Sequence, residues 1–199
     1  MRIIECEQRS PEWFECRLGI ASASHFGEIL SPTGIPSKSA EKYMYRLACE
    51  FVSKQVEETF QSKDMLRGIE LEPEARQMYS LINDVEVEEV GFCVMDDLNV
   101  GCSPDGLVGG DGLIEIKCLI ASNHVSCVLK NKFPTVYISQ IQGQLFVTGR
   151  KWCDVVLFYP NLKPLIIRVE RDEEFIKKLR VELEVFCINL ETVINKIRG

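Results

Sequence analysis

Carboxylates and a lysine at strand spacing are the residues of this chain best suited to chemistry. Cys102-Ser103-Pro104-Asp105-Gly106-Leu107-Val108 is followed by a Gly109-Gly110-Asp111-Gly112 turn and then by Leu113-Ile114-Glu115-Ile116-Lys117. Side chains of a strand alternate between faces, so Glu115 and Lys117 share one face and Ile114 and Ile116 the other. With the isoleucines in a core, the opposite face keeps a carboxylate and an ammonium beside a largely buried sheet. That is costly unless the charges pair or bind metal. Phosphodiester cleavage asks for this set: hard oxygen ligands for Mg²⁺, here Asp105 and Glu115, and a cation, here Lys117, to position an attacking water or stabilise charge on the phosphate. The pattern is short, and an ordinary Ser-Pro-Asp-Gly turn with a solvated Glu115/Lys117 face fits the same residues.

The elements that must position these groups follow from periodicity. Tyr43, Met44, Leu47, Ala48, Phe51 and Val52 recur at three and four after Ser39, which predicts a first helix. A loop over Ser31-Pro32-Thr33-Gly34-Ile35-Pro36-Ser37 precedes it. A second helix is expected at about 73–82, with Ala75, Met78, Tyr79 and Ile82 on one side and Pro73 in its first turn. Strands dominate from Val85 to Lys117, around 85–94, 99–102, 105–109 and 112–117. A helix over Val136–Gly149, strands at 154–159 and 165–169, and a closing amphipathic helix carrying Phe175, Leu179, Leu183, Phe186, Leu190, Val193 and Ile197 complete the chain. The expected architecture is an α/β (α+β) fold, a central mixed sheet flanked by helices, forming one domain over residues 1–199.

Composition narrows the function classes. The chain has 199 residues, 46% apolar and 27% charged, and no apolar run approaches the roughly 20 residues that span a bilayer. The acidic start of the sequence is unlike a signal peptide, so a cytoplasmic protein with no membrane association is expected. The nine cysteines are an odd number without a Cys-x-x-Cys pair, which speaks for core filling rather than a disulfide framework, zinc ribbon or iron–sulfur cluster. The net charge of −7 argues against a generic nucleic-acid binder, so any DNA contact must be local. Arg2, Arg9, Arg17, Lys38, Lys42, Arg46, Lys54, Lys63 and Arg67 give the N-terminal third many of its positive charges.

Six stretches occur in a telling order. They are Trp13-Phe14-Glu15-Cys16-Arg17-Leu18-Gly19-Ile20-Ala21-Ser22-Ala23-Ser24, Gly68-Ile69-Glu70-Leu71-Glu72-Pro73-Glu74-Ala75-Arg76, Ser103-Pro104-Asp105-Gly106, Glu115-Ile116-Lys117-Cys118, Ser139-Gln140-Ile141-Gln142-Gly143-Gln144-Leu145-Phe146-Val147-Thr148-Gly149, and Val169-Glu170-Arg171-Asp172-Glu173. In these the chain resembles the phage lambda exonuclease and YqaJ recombinase family of PD-(D/E)XK nucleases, along nearly its whole length.

The resemblance implies roles. Asp105 and Glu115 would bind metal, with the Ile116 carbonyl as a further ligand, and Glu72 would serve a second metal ion or its water. Placed just before Pro73, Glu72 would also sit at a helix N-terminus, whose dipole favours a negative charge. Lys117 would be the catalytic lysine. Gln140 would face the site from a helix, and Gln144, one turn on, shares its face. Arg17 and Ser24 look like the family's pocket for a 5′-phosphate, which suits the bidentate fork of arginine. Arg76 is expected to be a structural ion-pair partner. Leu119 stands where many relatives carry proline, and no arginine occurs in Ile120-Ala121-Ser122-Asn123-His124. His124 is therefore open between an active-site role and an ordinary hydrogen-bonded helix residue, and His25 likewise.

The activity so implied is Mg²⁺-dependent 5′→3′ digestion of double-stranded DNA ends, with two ions expected and Mn²⁺ as a substitute. It would release 5′-mononucleotides and leave 3′ overhangs for single-strand-annealing recombination. A homotrimeric ring and a single-strand annealing partner are implied too. An endonuclease of the same superfamily and a catalytically silent DNA-binding scaffold are the alternatives.

Overall fold

Alternation along the central hairpin decides how the layers stack. In the computed structural model, which describes residues 1–56 and 62–198, strands β6 (Gly106–Val108) and β7 (Gly112–Lys117) pair antiparallel, Gly106 opposite Ile114 and Val108 opposite Gly112. The turn between them places Gly109 at φ +52°, a left-handed conformation that costs glycine little. Ile114 and Ile116 pack with Ala75, Tyr79 and Phe158 in a smaller core, and Leu113 belongs to the larger one. Both faces of β7 are therefore covered, and Glu115 lies in the interior.

The strands form two sheets rather than the single one expected. β7 sits at the centre of a five-stranded sheet with β3 (Val87–Glu88), β6, β8 (Trp152–Leu157) and β9 (Leu165–Glu170). Its pairing with β8 is parallel and all the others are antiparallel, so the sheet is mixed. β1 (Arg2–Ile4), β2 (Ala21–Ser22), β4 (Phe92–Val94) and β5 (Val100–Cys102) make a second sheet of four. The stretch expected as one strand over 85–94 is thus two, and the chain changes sheets between them. It changes back at Ser103-Pro104-Asp105, which sets Asp105 where the sheets meet.

Helices complete the layers. α1 (Pro11–Cys16) starts with Ser10 accepting a hydrogen bond from the Trp13 backbone N–H, the usual N-cap arrangement. α2 (Ala40–Ser53) buries Tyr43, Leu47 and Ala48 and packs on α6 (Glu173–Ile197). α6 buries Phe175, Leu179, Leu183, Phe186 and Leu190 as its periodicity predicts, with Ile194 rather than Val193 or Ile197 closing the buried stripe. The 31–37 loop is tied by bonds from Ser31 N to Ile35 O and Ser37 N to Ile29 O.

α3 corrects the expected second helix. It runs from Lys63 to Asn83, capped by Ser62, with Pro73 inside it. Pro73 is exposed and opens no helix, so Glu72 sits mid-helix and receives no N-terminal dipole. α4 (Ala121–Lys130), α5 (Ile138–Thr148) and 3-10 turns at Ala23–Glu28 and Thr135–Tyr137 complete the structure. Among the described residues no helix is long and apolar enough to cross a membrane.

Candidate active site

Asp105 and Glu115 come together because they lie across the hairpin, one step beyond its last register pair. The Ile116 backbone N–H donates to Asp105 Oδ2 at 2.6 Å, and Arg76 Nε donates to the Asp105 carbonyl at 2.8 Å. Glu115 is 2% exposed, yet its carboxylate is well supplied. Lys117 Nζ lies 2.5 Å from Oε1, Gln140 Nε2 donates to Oε1 at 2.5 Å, and Gln144 Nε2 donates to Oε2 at 2.6 Å. Gln140 and Gln144 are one turn apart on α5, which brings both amides to Glu115 of β7. Lys117 Nζ also donates to Gln140 Oε1 at 3.3 Å and stands 4.8 Å from the centre of the Tyr137 ring.

The charges bias one another. Burial, then the Glu115 and Glu72 carboxylates, push the Asp105 carboxyl well above the ordinary aspartate range. Burial works against the Lys117 ammonium, but Glu115 and Asp105 outweigh it and hold its pKa above the usual lysine value.

Glu72 reaches the same cleft from α3, but arginines hold it. Arg9 Nη2 lies 2.6 Å from Oε2 and Arg76 Nη2 2.7 Å from Oε1. Arg76 further pairs with Glu89 at 2.8 Å, in keeping with the structural role expected of it. Among the described residues no three acidic, histidine or cysteine side chains gather into a closed metal cage. The donors present are instead the neighbouring Asp105 and Glu115 with backbone at Ile116, all lining one cleft of about 620 Å³ with Glu72. Such an open, all-oxygen set fits Mg²⁺, which keeps several of its waters and takes only one or two carboxylates from a protein.

Arg17 enters the same cleft from the end of α1. Its guanidinium stacks 3.7 Å from the Trp13 ring centre and donates to Ser22 Oγ at 3.1 Å. Ser22 Oγ in turn lies 3.1 Å from Ser24 Oγ. The expected pair Arg17 and Ser24 is therefore joined through Ser22, a residue the sequence reading passed over although it stands in the same Ala-Ser-Ala-Ser run. Trp13 Nε1 donates to Ser103 Oγ at 2.8 Å, which locks this corner to the Ser-Pro-Asp turn. Burial lowers the Arg17 pKa.

The histidines fall elsewhere. His124 is fully buried on α4, its Nε2 2.9 Å from the Lys163 carbonyl, an ordinary hydrogen-bonded helix residue. His25 Nδ1 meets Glu28 Oε1 at 2.7 Å and Arg46 Nη2 at 3.2 Å, and it does not line the cleft. The other residue missed from sequence was Arg9, whereas Gln144 was expected to share the Gln140 face and does so. For Arg9 the only hint was a positive charge far from the hairpin in sequence.

The profile of the YqaJ-like viral recombinase domain matches residues 12–151. The chain belongs to this family. A crystal structure of an alkaline exonuclease from Laribacter hongkongensis superposes with a TM-score of 0.85 at 34% identity, covering 95% of this chain and 96% of that one, and the same holds for that protein in complex with dAMP. A phage-related exonuclease from Haemophilus somnus shares the fold, with a TM-score of 0.68 at 15% identity over 89% of this chain and 96% of that one. No curated protein is a significant match. The mixed architecture is thus that of the PD-(D/E)XK exonucleases.

Proposed function

We propose that this protein digests double-stranded DNA from 5′ ends with Mg²⁺, releases 5′-mononucleotides and leaves 3′ single-stranded overhangs for single-strand-annealing recombination. The deoxyribonuclease activity itself follows from membership of the family and from kinship with a named alkaline exonuclease over 95% of the chain. The observation carrying the finer reading is the meeting, in one cleft, of the Asp105–Glu115–Lys117–Gln140 group with Arg17, Ser22 and Ser24. A hydrolytic centre and a phosphate-binding arginine so combined suit a terminal phosphate at one end and a scissile bond at the other. The relative bound to dAMP is consistent with a mononucleotide product.

In this reading Asp105, Glu115 and the Ile116 carbonyl hold Mg²⁺, and Glu72 serves a second ion or its water. The bound metal lowers the pKa of water and offsets charge on the phosphate, and Mn²⁺ is expected to substitute for it. Lys117 presents its ammonium to the attacking water or the phosphate, while Gln140 orients both Lys117 and Glu115. Arg17, with Ser24 reached through Ser22, holds the 5′-phosphate by charge-assisted hydrogen bonds. The expected assembly is a homotrimeric ring, and an annealing protein is the expected partner.

The test is digestion of linear duplexes bearing 5′-phosphate or 5′-hydroxyl ends, with closed circles as control, with and without Mg²⁺. Linear 5′-phosphorylated DNA should be consumed to mononucleotides only with the metal. Asp105→Ala and Glu115→Ala should each abolish cleavage while the duplex is still bound. Cleavage of closed circles would identify an endonuclease instead, and near-normal activity in either variant would end the assignment of these carboxylates.

A further inference from the structure

Two amides grip the Glu115 carboxylate, and they do so unequally. Oε1 receives Lys117 and Gln140, whereas Oε2 receives Gln144 alone among the described residues. The Gln140 amide is used at both ends, since its own Oε1 accepts from Lys117. The Gln144 amide is not. Its Oε1 is buried and has no partner among the described residues, in a side chain that is 1% exposed. A bare buried acceptor is a net cost to a fold. A leucine or methionine of similar volume at position 144 would avoid that cost, so packing of α5 on β7 does not account for a glutamine here. The bond to Glu115 Oε2 does.

That bond matters because the terminal torsion of a glutamate is broad, so a carboxylate does not choose its own rotation. Held at one oxygen only, it could swing away from the cleft. Held at both, its plane is fixed and its one remaining lone-pair site, on Oε2, points in a set direction. We propose that Gln144 is a positioning residue: it fixes the Glu115 carboxylate in the orientation required of a divalent-cation ligand, without touching DNA itself. The inference rests on the metal reading of Glu115 given above. Partners that orient a metal ligand in this way typically contribute about 10–100-fold in metal affinity or activity.

The experiment titrates Mn²⁺ calorimetrically into the DNA-free protein, comparing wild type, Gln144→Leu, Gln144→Met and Glu115→Ala. Thermal unfolding in EDTA and the separate kcat and KM for a 5′-phosphorylated duplex accompany it. Gln144→Leu and Gln144→Met should each weaken metal binding about 10–100-fold and lower kcat with KM little changed. Both should still fold in EDTA with at most a modest drop in melting temperature, because the bare Gln144 acceptor is gone while Glu115 Oε2 loses its donor. Unchanged metal affinity in the two variants overturns the proposal, and so does loss of folding in EDTA by both, which would make Gln144 a residue of the fold. Glu115→Ala separates the two levels. If it abolishes metal binding while the Gln144 variants keep it, only this inference fails. If it leaves metal binding intact, the metal reading of Glu115 fails first.

Discussion

At the residue scale the cleft contains two kinds of charge with different work to do, and substitution should separate them. Arg17 is stacked on Trp13 and bonded to Ser22, whereas Lys117 and Gln140 hold the Glu115 carboxylate. Arg17→Ala should therefore impair 5′-phosphorylated substrates selectively. A charge-assisted hydrogen bond contributes on the order of 1.5–3 kcal/mol, so kcat/KM should fall roughly ten- to a hundred-fold. The control is a 5′-hydroxyl duplex of the same sequence, and equal slowing of both substrates would make Arg17 a general DNA contact or a residue of the fold. The pH dependence follows from the central pair. In its proposed part as a metal ligand Asp105 must lose its proton, and burial with Glu115 and Glu72 raises its pKa, so the acid limb of activity should move to higher pH. Lys117 keeps its proton above the usual lysine range, so the alkaline limb moves up too. A kcat/KM profile centred on the alkaline side is expected, and an optimum near pH 5 would contradict it. Stability follows with its own sign. Because the folded protein holds the Asp105 proton more tightly than the unfolded chain, this group's contribution is lost as pH rises from about 4. Added Mg²⁺ should restore it, giving a thermal shift that grows with pH. Most of these residues were legible in the sequence because strand alternation and local motifs bring them together. Arg9, whose Glu72 partner is 63 residues away, was not, since only the fold makes that contact.

At the element scale the site depends on how closely α5 approaches the 3-10 turn at Ala23–Glu28. Gly143 makes the approach possible: a Cβ there would lie 2.3 Å from Phe26 Cδ2 and 3.2 Å from Ala23 Cβ. Phe26 is fully buried and cannot swing out to solvent. Gly143→Ala should therefore destabilise the protein by about 1–3 kcal/mol through overpacking, despite the better helix propensity of alanine. Because Gln140 and Gln144 flank this position, activity should fall further than the loss of folded protein explains. Denaturant titration beside specific activity checks both, and a stabilised variant with normal activity would refute the account. The β6–β7 hairpin, α5 and α6 were readable because each carries a strong local signal: alternation, a Gly turn or an apolar stripe. α3 was misread because Pro73 imitates a helix start. In the structure the helix continues through it, Pro73 lying exposed while Ala75 and Tyr79 are buried. The division into two sheets was invisible, because strands of two or three residues have too few alternations to reveal which neighbour they pair with.

At the scale of the whole molecule the problem is charge. A chain of net charge −7 must approach a polyanion, and the exposed Asp84, Glu86, Glu88 and Glu89 make one flank repel it. Arg9, Arg17 and Lys117 instead line the cleft, which gathers positive side chains at the proposed site. The proposed closed ring would resolve this, because it would retain DNA by topology with the acidic flank turned outward and the cleft turned toward the substrate. A head-to-tail interface either closes into a ring or grows into a filament, and the family resemblance implies closure at three subunits. Sedimentation or light scattering at low micromolar concentration should then report about three times the 22.7 kDa chain mass. A trap of excess unlabelled duplex, added after the first cuts, should leave digestion of the bound DNA unaffected. A monomer that resists the trap over long digestion would refute the ring as the source of processivity while leaving the chemistry intact, because Asp105, Glu115, Lys117, Gln140 and Arg17 all line the cleft of one chain.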